Sequence, residues 1–245
     1  MRGGFGMEKM LGGDDSYWTP PDFRGNPQYD GRFTFARIKY RGFGRFNGRE
    51  GPGWSHDYPD AEVNLTRILR EITAIRPFIR EGNIIGGAIV ALDDPALLKY
   101  PIAYFSEPGG WALNEAEATG LRKYLQKGGF IIFDDFPTET WAGMINGMSR
   151  VLPGLHPIQM TGKEQIFDSF YKIDIAKVAG SYGRNDGFFA YYENNDPTRR
   201  LLAIGCLNND FGEAWQWSGQ GFVPIDVSNE AFKLGINLFV YALTH

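Results

Sequence analysis

The run GGFIIFDDF at residues 128–136 carries four apolar residues, Phe130 to Phe133, straight into two adjacent carboxylates, Asp134 and Asp135. An apolar run of this length behind two glycines predicts a buried strand over 130–134, and α/β proteins gather ligands at the carboxyl ends of such strands. Other strand candidates end similarly. FTFARIKY (33–40) leads through a glycine-rich loop to Trp54, His56, Asp57 and Tyr58. GAIVAL (87–92) ends at Asp93–Asp94, PIAYF (101–105) at SEPGG with Glu107, and LLAIG (201–205) shortly before Asn208, Asn209 and Asp210. Carboxylates grouped on one edge can act as an acid–base pair, as ligands of a hard cation, or as acceptors for sugar hydroxyls. Glu107, Asp134, Asp135, His56, Asp57 and Asp210 are therefore the candidate ligand-binding residues. Asp134, Asp135 and Glu107 are the candidates for a divalent cation, and no other cofactor is expected.

A structural role competes with each of these. Asp and Asn follow strands because they cap helices and shape turns. Asp94 before Pro95 and Asp135 before Pro137 suit that role, whereas Glu107, Asp134 and Asp210 fit it less well. Trp54, Trp111 and Trp215 also follow strand exits, either to rim a cleft that stacks a carbohydrate or to pack loops on the sheet. The glycines of SEPGG can present backbone N–H groups to an anion, but the chain has no GxGxxG or GxxxxGK[ST]. Cys206 lacks a glycine-flanked elbow and reads as a buried structural thiol. His56, His156 and His245 form no HExxH pair, and His156 before Pro157 reads as a turn residue.

The elements that must position these residues follow from periodicity. Leu65, Ile68, Leu69 and Ile72 make one helical face behind Pro59, Asp60 and Glu62. Asn114 with Glu117 three residues on predicts a capped helix, with Leu121, Tyr124 and Leu125 inward and Gly128–Gly129 as its stop. A helix is expected over 138–150, short pieces at 155–160 and 166–173, a hairpin over FFAYYENNDPTRRLLAIG, and a last helix from about Ser228. This alternation predicts an α/β fold with a mostly parallel sheet and an antiparallel C-terminal extension. Residues 1–31, rich in Gly, Pro and isolated aromatics, read as an irregular arm before a single domain at 32–245, and the arm is expected to contact a protein partner. A net charge of −4 argues against a nucleic-acid partner. One cysteine excludes an internal disulfide framework. No apolar run reaches the length of a membrane span, and no signal peptide opens the chain.

RFTFARIKY, GPGWSHDYPDAEVNLTRILREITAI, the stretch from LDDPALLKY to GGFIIFDDF, NNDFGEAWQWS and AFKLGINLFVYALTH together resemble an uncharacterised bacterial family, domain of unknown function four-one-five-nine, grouped with the class I glutamine amidotransferase-like superfamily. The resemblance covers roughly residues 32–245 and implies a flavodoxin-like three-layer sandwich. Amidotransferases of that superfamily carry a cysteine nucleophile after a central strand, served by a later histidine and glutamate. Here the matching strand ends in Asp134–Asp135 instead of Gly-Xaa-Cys-Xaa-Gly and no later His-Xaa-Glu appears, so glutaminase activity is not carried over. KEQIFDSF has Glu164–Gln165 where the uncharacterised family implies a histidine, which counts against a histidine-based site. The relatives imply a periplasmic or cell-envelope setting. The expected function is a non-catalytic ligand-binding or assembly module that has lost the Cys-His-Glu triad. The alternative is a hydrolase of sugars or amides, using strand-exit carboxylates with a metal ion.

Overall fold

The computed structural model describes residues 19–42, 52–178 and 187–245. Most of the glycine-rich loop after the first strand, and Tyr17 and Trp18 of the arm, lie outside them. Among the described residues the main sheet has seven strands: β1 (Phe35–Lys39), β4 (Gly87–Ala91), β5 (Ile102–Ser106), β6 (Phe130–Phe136), β7 (Ile158–Gln159), β8 (Phe188–Tyr192) and β9 (Leu201–Leu207). Two further short strands, β2 (Ile79–Arg80) and β3 (Ile84–Ile85), pair separately as an antiparallel ribbon that the sequence pattern did not announce.

The sheet order is β4-β1-β5-β6-β9-β8-β7. Strands β4 to β9 in that order pair parallel, and β8 and β7 close the edge antiparallel. Strands β5, β6 and β9 are buried at every position, which explains their unbroken apolar runs: a parallel strand covered on both faces has no polar side. Numbered among themselves, the parallel strands have the order 2-1-3-4-5 of the flavodoxin-like sandwich, with its switch point between β1 and β5. At that point neighbouring connections leave toward opposite sides, so a crevice opens above the strand ends.

Among the described residues five α-helices cover the two faces: α1 (Asp60–Ile72), α2 (Glu115–Gln126), α3 (Trp141–Val151), α4 (Phe211–Gln216) and α5 (Ile225–Thr244). Helices α1, α4 and α5 share one core, through residues such as Leu65, Leu69, Trp215 and Leu238. Helices α2 and α3 share the other, through Leu121, Leu125, Met144 and Met148. The capping box expected at Asn114 is formed: its side chain accepts from Glu117 N at 2.9 Å, and Glu117 accepts from Asn114 N at 2.8 Å. Helix α3 starts at Trp141 rather than 138, after a tight turn, and α5 starts earlier than expected, at Ile225. Ile72, assigned inward by periodicity, is 37% exposed because α1 ends there.

The described part of the arm lies on its own domain. The Asn26 side chain accepts from Ile89 N and donates to Ile89 O, both at 2.8 Å, so it closes the ladder of edge strand β4. Tyr29 packs edge-on against Tyr100, 5.5 Å between ring centres. An open strand edge invites pairing with another chain, and this segment covers it.

Candidate functional site

The two aspartates of GGFIIFDDF fall inside β6, not after it. Pairing with β9 is regular to Phe133, opposite Gly205, and resumes at Phe136, opposite Leu207, so the register slips across Asp134 and Asp135. Asp135 takes a left-handed backbone conformation at φ 57°. In a regular strand adjacent side chains point to opposite faces; an irregularity of this kind re-aims them. Both carboxylates are consequently buried at the strand ends, Asp134 at 0% and Asp135 at 4% exposure.

Asp134 is committed to structure. Its Oδ2 accepts from Tyr104 Oη at 2.7 Å, Phe211 N at 2.9 Å and Gly212 N at 3.1 Å, so it holds β5 and the start of α4 together. Burial raises its pKa to about 7, with the hydrogen bond from Tyr104 opposing and the charge of Asp135 assisting. Asp210 caps the same helix, accepting from Glu213 N at 2.8 Å. Caps were expected at Asp94 and Asp135. Asp94 does cap, accepting from Ala96 N, but Asp135 does not: in the turn after β6 it is Asn208 Oδ1 that accepts from Thr138 N, at 2.9 Å, and Asp210, expected to suit a cap poorly, is the one that caps α4.

The remaining groups meet above the β1/β5 crevice. His56 comes from the loop after β1 and Glu107 from the end of β5, and Glu107 Oε1 lies 2.8 Å from His56 Nδ1. Asp135 Oδ2 is 3.9 Å from the same nitrogen. Asp57, Asp135 and Asp210 each offer a carboxylate oxygen within 4.8 Å of the others, and His56, Glu107 and Asp135 form a second such set. Asp57 is 7% exposed, and its buried Oδ2 has no hydrogen-bond partner among the described residues. The opening of the cluster is at His56 and Glu107, whose side chains are 14% and 21% exposed. Asp57 and Glu107 share the left-handed conformation, at φ 63° and 49°, which costs about 1–3 kcal/mol each for a residue other than glycine.

The electrostatics are those of crowded acids. Burial, then the charge of Asp135, push Asp57 well above the carboxylate range, against the pull of Arg37 and His56. Burial, Asp135 and Asp57 push Asp210 the same way. Burial disfavours the His56 cation, but the hydrogen bond and charge of Glu107, with Asp135 and Asp57, outweigh it and raise its pKa to about 9. Arg37 relieves the crowding only in part: it is buried in β1, paired with Glu62 of α1, and its Nη1 donates to the carbonyls of Trp54 at 3.0 Å and His56 at 2.8 Å. It thereby fixes the loop that presents His56 and Asp57.

Sequence reasoning therefore placed His56, Asp57, Glu107, Asp135 and Asp210 together, and missed Arg37, Glu62 and Tyr104. Arg37 left a signal, being a charge in the inward register of Phe35; Tyr104 left none, because it reads as one more core aromatic. The tryptophan rim is corrected. Trp54 and Trp215 are 1% and 0% exposed, and Trp111 is 8% exposed with its indole donating to Gly143 O at 3.1 Å, so all three pack elements together. The glycines of SEPGG serve contact as well: a Cβ at Gly109 would overlap Thr140, at the start of α3. Cys206 is fully buried within β9.

The profile of a family described as domain of unknown function (DUF4159) matches residues 34–243. The chain belongs to this family. The DUF4159 match begins just ahead of β1 and ends in the last turn of α5, so it contains every residue of the cluster and excludes the arm. No curated protein matches the chain. Among the described residues of this DUF4159 domain, no helix is long and apolar enough to cross a membrane.

Proposed function

We propose that this domain is a binding module that holds its ligand through a hard divalent cation seated between Asp57, Asp135 and Asp210. One observation carries the reading: three carboxylate oxygens lie within 4.8 Å of one another, and one contributor, Asp57, is buried with an oxygen that no described residue satisfies. Buried acids of this density need a counter-charge. Among the described residues, the cations at the cluster are engaged, Arg37 by Glu62 and His56 by Glu107. An all-oxygen set suits Ca²⁺ or Mg²⁺ better than a softer metal. The proposal keeps Asp135 from the cation candidates first read in the sequence, and replaces Asp134 and Glu107 by Asp57 and Asp210.

Kinship with the class I glutamine amidotransferases is part of the same proposal, supported by the strand order and by the place of Asp134 and Asp135 at the end of a central strand. So is loss of the triad, since Cys206 sits within a strand rather than on an elbow. A cell-envelope setting rests on the resemblance to exported relatives, and a partner for the arm on the composition of residues 1–31. Titration calorimetry of chelator-treated protein tests the central point. One site for Ca²⁺ or Mg²⁺, absent in Asp135→Asn, supports it; no heat and no change in melting at 10 mM cation refutes it. A second reading, a metal-assisted hydrolase of sugars or amides, is favoured by His56 and Glu107 standing at the exposed rim of the cluster. It requires cation-dependent turnover of chromogenic glycosides or amides.

A further inference from the structure

A separate cavity of about 350 Å³ lies between α1, the β2–β3 ribbon and the arm. Its walls include Glu62 and Thr66, four residues apart on one face of α1 and 3% and 1% exposed. Glu62 Oε2 and Thr66 Oγ1 are both buried without a hydrogen-bond partner among the described residues. Guanidinium groups line the same space: Arg24, and Arg80, which donates one N–H to Gly25 O. Tyr58 also lines it, and its hydroxyl feels these charges together: burial foremost raises its pKa to about 12, Glu62 and Asp22 add to the rise, and Arg37 and Arg80 oppose it.

We propose that this cavity binds a small zwitterion, a free amino acid or the terminus of a short peptide. The ammonium group would donate to Glu62 and Thr66, and the carboxylate would face Arg80 and Arg24. A lone anion would meet the Glu62 carboxylate, and a lone cation the two guanidinium groups. Asp22 and Asp60 line the cavity as well, and Glu62 keeps its Oε1 on Arg37, so both signs of charge face the space. A dipolar molecule meets both sets, and each unpaired buried oxygen it satisfies removes a standing desolvation cost. The volume sits at the small end of ligand pockets, which run from about 300 to 1,000 Å³. The residues here differ from those of the carboxylate cluster, so this inference stands whether or not the cluster binds a cation.

The test is calorimetry on the full chain with glycine, alanine, lysine and the dipeptide alanyl-alanine, against acetate and ethylamine as singly charged controls. At least one zwitterion should bind with a Kd below about 1 mM, and both controls more than tenfold more weakly. Thr66→Val, which keeps the shape and removes the hydroxyl, and Arg80→Gln should each weaken that binding about tenfold while the melting temperature confirms folding. The inference is overturned if no zwitterion binds by 10 mM, if acetate or ethylamine binds equally well, or if the folded variants keep full affinity.

Discussion

Asp135→Asn changes one oxygen to nitrogen and should change the sign of its effect with the cation present. Asparagine tolerates the left-handed backbone of position 135, so the strand geometry is preserved. Without a cation, Asp135 faces Asp57 and Asp210 within 4.8 Å and His56 at 3.9 Å. At an effective dielectric of 20, each repulsion is worth about 3.5 kcal/mol and the attraction about 4 kcal/mol. Two repulsions against one attraction leave an excess of at most about 3 kcal/mol, reached when all four groups are charged. Asp135→Asn should therefore stabilise the chelated protein by up to that amount at a pH where the acids are ionised. Saturating Ca²⁺ should stabilise the parent by about 4.1 kcal/mol at a thousand times its Kd, and the variant hardly at all. Urea unfolding of both proteins, in chelator and in calcium, reads all four free energies. The order of stability should invert between the two buffers. If Asp135→Asn destabilises the chelated protein, or calcium shifts both proteins equally, the carboxylates are not a frustrated cation site.

Three further outcomes follow from the packing. Arg37→Met leaves Glu62 buried without its partner and frees the loop bearing Trp54 and His56, so urea unfolding should show a loss of about 3–5 kcal/mol. Asn26→Ala removes two hydrogen bonds from edge strand β4; the loss should be about 1–3 kcal/mol, with hydrogen exchange quickening at the Ile89 amide before amides of β6. Burial, then the charge of Asp134, push the Cys206 thiol well above its ordinary range. Native protein should thus resist Ellman's reagent at pH 8 and again at pH 9, and react fully once unfolded; rapid native labelling would contradict the buried position.

Much of the fold was legible because local signals agreed with one another. The unbroken apolar runs of β5, β6 and β9 announced a doubly covered parallel sheet, and Asn114 with Glu117 fixed the start of α2 to the residue. Strand ends then placed His56, Asp57, Glu107, Asp135 and Asp210 on one edge. What failed were features set by tertiary partners. Nothing local reveals that β6 continues past Asp134 through Asp135 to Phe136, because that depends on the slip against β9. The division of labour between the two aspartates depends on α4, whose first N–H groups arrive about 77 residues later in the chain. The tryptophans were misjudged for a simpler reason: an indole after a strand can face a cleft or a core equally well, and only the helices decide. The short β2–β3 ribbon is held by its surroundings and carries too few residues for a period.

The most direct measurement is an anomalous difference map from a crystal soaked in Mn²⁺. A peak about 2.0–2.6 Å from carboxylate oxygens of at least two of Asp57, Asp135 and Asp210 is the expected result. A map empty at that position, with the Asp57 oxygen hydrogen-bonded to ordered water, would contradict the cation site and leave the cluster a structural feature of the β1/β5 crevice.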